Sequence, residues 1–78
     1  MSNLEKYQAA LAEVLEIPRE EVCVATSATV VRWDSIGKIS LVAILEETFA
    51  IEMEPEDIIR FNSYDYGLQI LRKSGVDI

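Results

Sequence analysis

An all-α fold, a small antiparallel bundle of three longer helices and one short one, is what this 78-residue sequence predicts. Two stretches repeat their apolar residues every three or four positions, one from Leu4 and one from Ile36, as amphipathic helices do. Helix start and stop residues punctuate the chain at Asp34-Ser35, at Pro55, at Asn62-Ser63 and at Ser74-Gly75. Residues 23–33, rich in Thr, Ser and Val, have neither polar alternation nor a hairpin turn, so a strand there has nothing to pair with.

Leu4, Tyr7, Leu11, Val14 and Leu15 define the apolar face of the first helix, with Glu5, Lys6, Gln8 and Glu13 on the other side and Pro18 ending it. The segment 23–33 is read as a long loop. Within it Cys23, flanked by Val22, Val24 and Ala25, is expected to be a small buried hydrophobe, and Trp33 a ring that packs the start of the next helix. The second helix opens at Asp34-Ser35 and runs to Phe49. Pro55 with Glu56 and Asp57 suits the first turn of a brief third helix. Asn62 or Ser63 caps a fourth, which stops at Ser74-Gly75 with Arg72 and Lys73 in its last turn. Gly67 inside it costs about 1 kcal/mol relative to Ala, or else permits a close helix crossing. Gly75 to Ile78 are expected to fray.

Placing side chains about 100° apart divides the apolar residues of the second helix into two groups. Leu41, Val42, Leu45 and Phe49 form a core face, whereas Ile36, Ile39 and Ala43 fall opposite, with Glu46 and Glu47. A helix with one buried stripe has no structural use for the second group. It suits a partner protein; a crossing helix or loop covering it is the alternative. The acids Glu46, Glu47, Glu52, Glu54, Glu56 and Asp57 follow with no basic residue between them and read as an electrostatic docking patch.

Asp34-Ser35-Ile36 opening a helix that ends Leu45-Glu46-Glu47-Thr48-Phe49 resembles the attachment region of acyl carrier proteins. The run Leu15-Glu16-Ile17-Pro18-Arg19-Glu20-Glu21-Val22 is similar to that family's turn after its first helix. The resemblance covers nearly the whole chain and implies an acyl-carrier-protein-like fold. It implies that Ser35 carries 4′-phosphopantetheine, installed from coenzyme A by a phosphopantetheinyl transferase with Mg²⁺. Asp34 would help to position the metal or the serine. The arm's thiol would hold acyl or aminoacyl groups as thioesters, presented to loading and processing enzymes with basic docking surfaces that recognise Ile36, Ile39, Ala43, Glu46 and Glu47. Val24, Val30 and Val31 would plug the bundle, as the aliphatics of the family's loop do.

Gly37 and Lys38 stand where fatty-acid carriers usually have acidic or hydroxyl residues, and Ser40 where an acid often serves docking. Trp-Asp-Ser-apolar-Gly instead resembles free-standing carriers of specialised pathways, and Ser-apolar-Gly is similar to D-alanyl carrier proteins.

Half the residues are hydrophobic and the formal charge is −7, which fits a single domain over 1–78, expected to be a monomer. The acidic balance argues against nucleic acid, which is held by neutralising phosphates with Lys and Arg. No apolar run is long enough to span a membrane and no secretory leader is evident, so the cytoplasm is the expected compartment. With no histidine and one cysteine, neither a Ser-His nor a Cys-His pair nor the usual zinc ligand set is possible, so the chain is expected not to be an enzyme. A phosphate on Ser35 would lie at the positive end of a helix, a favourable place for it. The competing function is an unmodified acidic adaptor that binds a basic partner through the same face. A calcium loop lacks the required alternating Asp/Asn pattern and central Gly, leaving only loose cation binding to the acids.

Overall fold

Ser2 and Glu5 exchange the two hydrogen bonds that start the first helix: Ser2 Oγ accepts the Glu5 amide at 3.1 Å and Glu5 Oε1 accepts the Ser2 amide at 3.0 Å. In the computed structural model, which describes residues 1–78, four α-helices follow in order: α1 Asn3–Leu15, α2 Ser35–Phe49, α3 Pro55–Arg60 and α4 Tyr64–Lys73. This is the all-α arrangement of three longer helices and one short one that the sequence predicts. No helix is long and apolar enough to cross a membrane.

The core is assembled from the expected faces. Tyr7, Leu11 and Leu15 of α1 pack with Leu41 and Leu45 of α2, and with Ile70 and Leu71 of α4. Leu4 stays 42% exposed, and Ala10 takes a core place in α1 instead. The helix ends before Pro18, because Glu16 turns left-handed (φ 55°) and the Ile17 amide reaches back to the Ala12 carbonyl. Ala50 ends α2 in the same way (φ 53°), with the Ile51 amide on the Glu46 carbonyl.

The connection from α1 to α2 departs from the expected plain loop. Arg19–Val24 form a 3₁₀ helix, begun at Pro18, which buries Val22. Such short turns carry no long apolar period, so nothing in the hydrophobic spacing announces them. Cys23 is consequently exposed rather than buried, with its sulfur 3.7 Å from Gln8 Nε2. Val24 and Val31 do not plug the bundle: they are 77% and 93% exposed, and Val22, Ala25 and Trp33 fill the space while Val30 packs at its edge. With about three residues per 3₁₀ turn, successive side chains point roughly 120° apart, so composition alone cannot say which valine turns inward. The loop is stitched to the start of α4 by the Ser27 amide on the Asn62 carbonyl (2.9 Å) and the Tyr64 amide on the Ala25 carbonyl (3.0 Å).

The C-terminus is held rather than frayed. Gly75 adopts φ +91°, which lets the Gly75 and Val76 amides cap the Arg72 and Leu71 carbonyls. Val76 and Ile78 then pack against the core, and Asn3 Nδ2 donates to the Asp77 carbonyl at 2.9 Å.

Gly67 marks a close crossing. The Tyr7 hydroxyl, buried within the core, donates to the Tyr64 carbonyl at 2.7 Å and lies directly over Gly67. A Cβ there would meet the Tyr7 hydroxyl and stand 2.7 Å from Phe61 Cε1. Helix propensity alone makes Gly67→Ala stabilising by about 1 kcal/mol. The crowding reverses that sign: we expect a net loss of about 1–2 kcal/mol in urea unfolding. Tyr7→Phe, which removes the obstructing oxygen, should cost less in the Gly67→Ala background than in the wild type.

Candidate attachment site

Two residues before the serine of interest, Trp33 is 3% exposed. Its Nε1 donates to the Phe61 carbonyl at 3.1 Å, and its ring meets Phe61 edge-on at 5.3 Å between centroids. The indole anchors the end of the loop against the residue that follows α3. Asp34 then caps α2, its Oδ1 accepting the Gly37 amide at 2.8 Å. Gly37 has a steric duty as well, since a Cβ there would collide with the Arg32 carbonyl. The loop can fold down onto the helix start only because that side chain is missing.

Ser35 is therefore the first residue of α2, fixed in backbone and exposed in side chain. The amides of Ser35 and Ile36 precede the first helical hydrogen bond, which runs from the Lys38 amide to the Asp34 carbonyl at 2.9 Å. A phosphate ester on the Ser35 oxygen would find open space and the positive end of a helix, with an ammonium, Lys38, one turn along. The residues present thus fit a phosphate-linked group.

Ser35 opens onto a groove of about 470 Å³ between α2 and α3, lined by Trp33, Ile39, Ile58, Ile59, Lys38 and Asn62 among others. The α3 side of this groove is not among the expectations that the sequence raises. A signal for it exists: Ile58 and Ile59 are adjacent on a helix too short to bury both, and Ile59 is indeed 72% exposed.

The residues expected to form a partner face lie along α2. Ile36 and Ile39 are 77% and 68% exposed, and Ala43 and Glu47 are exposed too. No helix or loop covers this strip of the chain. Glu46 is only half-exposed, its Oε2 accepting the Met53 amide at 2.9 Å, so part of its charge secures the turn after α2.

A family model described as the phosphopantetheine attachment site matches residues 8–65. The chain belongs to this family. Members of the phosphopantetheine attachment family carry 4′-phosphopantetheine covalently, and this chain is accordingly a phosphopantetheine-carrying protein. The matched segment runs from α1 through the start of α4 and contains Ser35, Asp34 and the α2 strip. No curated protein matches the chain.

The acidic run from Glu46 to Asp57 is not one continuous docking patch. Glu46 faces Met53, Glu56 pairs with Arg60 at 3.0 Å, and Asp57 is turned inward, 7% exposed. Asp57 Oδ2 lies 2.6 Å from Lys73 Nζ, and its Oδ1 accepts the Tyr66 hydroxyl at 3.2 Å. Sequence distance hid this partner: Lys73 stands in the last turn of α4. The hydrogen bond and charge of Lys73 hold the Asp57 carboxyl below the usual carboxylate range. The same bond raises the ammonium of Lys73.

A carboxylate whose folded pKa is depressed stabilises the fold above its unfolded pKa, and that contribution fades as pH falls through the folded value. The Lys73 contribution fades instead as pH rises through its raised folded value. Asp57→Asn should therefore lower the melting temperature near neutrality. Thermal unfolding followed downward from about pH 6 should show the gap from wild type closing below about pH 4.

Proposed function

We propose that this chain carries acyl or aminoacyl intermediates as thioesters on a 4′-phosphopantetheine arm attached to Ser35, serving fatty-acid, polyketide or other specialised biosynthesis. One observation carries the reading: the Ser35 side chain is exposed at the first residue of α2, within the family match and between Asp34 and Ile36. The bound arm supplies a thiol, the chemistry that this chain needs to hold a cargo.

In the attachment step, the Ser35 Oγ–phosphorus bond forms as the diphosphate bridge of coenzyme A breaks. The adenine nucleotide half leaves, and the hydroxyl proton passes to a base. We assign that base to the phosphopantetheinyl transferase: this chain has no histidine, Cys23 lies beside Gln8 outside the groove that Ser35 opens onto, and the adjacent Asp34 carboxylate is engaged in capping the Gly37 amide. Asp34 keeps its carboxylate next to Ser35 while Oδ1 caps Gly37, a position from which it can orient the transferase's Mg²⁺. The chain itself is a carrier without catalytic residues.

The exposed strip Ile36, Ile39, Ala43 and Glu47, with the half-exposed Glu46, supports docking of the transferase and of acyl-loading and acyl-processing enzymes. Isolated isoleucines exposed along a helix cost little in solution and gain affinity when a partner removes them from water. Acids beside them select partners with basic rims. The formal charge of −7 disfavours nucleic acid, and we place the chain in the cytoplasm as a monomer. The apolar wall of the groove made by Ile39, Ile58 and Ile59 suits a cargo with an apolar chain.

Incubation with coenzyme A, Mg²⁺ and a permissive transferase should add one phosphopantetheine by intact mass, and Ser35→Ala should abolish the addition. Absence of any addition to the wild type would favour an unmodified acidic adaptor instead. Ile39→Gln should lower the transferase's kcat/KM by roughly tenfold, about 1.4 kcal/mol, with little change in melting temperature because that side chain contributes to no core contact. A matching loss of stability would count against a docking role.

A further inference from the structure

Lys38 is a cation without an anion. The acids of this chain outnumber its bases 14 to 7, yet the three ion pairs use Arg32, Arg60 and Lys73. Lys38 Nζ instead donates to the backbone carbonyl of Ile59 at 3.0 Å, tying α2 to the last turn of α3. That carbonyl is served twice: Asn62 Nδ2 also donates to it, at 3.3 Å. Either donor alone keeps it satisfied, so Lys38 can leave without orphaning the carbonyl. Lys38 is three residues after Ser35 on α2, the spacing that places side chains as neighbours on one face, and both line the same groove. A hydrogen bond from an ammonium to an anionic oxygen is stronger than one to a neutral carbonyl.

We propose that Lys38 is the positioning residue that receives the phosphodiester on Ser35, giving up the Ile59 carbonyl to Asn62 alone. This rests on Ser35 being the attachment site. The exchange has two consequences. The phosphodiester is drawn along α2 toward the groove walled by Ile39, Ile58 and Ile59, which sets the direction in which the arm leaves the surface. The end of α3 also loses its one side-chain hydrogen bond to α2, leaving the Trp33–Phe61 hydrogen bond and the Asp57–Lys73 pair to anchor it. Modification of Ser35 thereby becomes readable on α3, and enzymes that contact that helix can tell the modified carrier from the unmodified one.

The amide nitrogen of Arg60 belongs to the same peptide group as the Ile59 carbonyl, so its ¹⁵N resonance reports hydrogen bonding at that oxygen. The test compares unmodified and modified protein, checked by intact mass, for the wild type, Lys38→Gln and Lys38→Arg. In the wild type, modification should move the Arg60 resonance toward its position in unmodified Lys38→Gln. In Lys38→Gln itself modification should leave it in place, and the ³¹P resonance of the phosphodiester should differ from that of the wild type. Lys38→Arg should restore both responses. If the mass shows a modified Ser35 but Arg60 does not respond, or responds equally in Lys38→Gln, the role of Lys38 is overturned and the attachment reading stands. If no mass is added to the wild type, both fall together.

Discussion

The geometry of this protein depends on one buried side chain, Trp33. A loop that must deliver an exposed serine to a fixed place needs an anchor close by, and an indole supplies both apolar area and a single hydrogen bond to direct it. The Trp33 ring packs into the core, and its N–H donates to the Phe61 carbonyl. That bond joins the entrance of α2 to the exit of α3, so the two walls of the Ser35 groove are set by one residue. Phe61 in turn packs near Gly67 and Tyr7, which links the groove to the crossing of α1 and α4. Exposure of Ser35 and rigidity of its backbone are compatible because the anchoring is done two residues earlier.

Charge is distributed just as locally. Acids that look like one surface patch in the sequence hold nearby pieces of the fold instead: Glu46 secures the turn after α2 and Asp57 joins α3 to α4. Glu5, outside that run, likewise starts α1. For the docking proposed above, what remains is narrower, a strip along α2 where two isoleucines and Ala43 stand beside Glu47. Such a strip favours brief encounters over permanent association, since its apolar area is small and its charges act mainly on encounter and orientation.

The helices, the two faces of α2 and the serine at its start were legible because each is written in residues close together in sequence. Helical periodicity and capping side chains act over three or four positions, and the family motif is contiguous. The misreadings share the opposite character. Val24 and Val31 look as apolar as Val22, but the 3₁₀ turn and the stitch to Asn62 and Tyr64 decide that only Val22 faces the core. Cys23 is turned outward by the same turn. The tail, expected to fray, is folded back onto α1 by the cap at Gly75.

From its residues alone this chain announced an all-α fold, a second helix with more apolar surface than a core can use, and a serine at the place where that helix begins. Tertiary structure decided which acids face water, which valines are buried, and that α3 forms the far wall of the groove beside Ser35. The physical reason is range. Caps and periodic faces are settled within a turn of helix, whereas the Asp57–Lys73 pair and the Trp33–Phe61 bond exist only once residues distant in the chain have been brought together by burial of a common core.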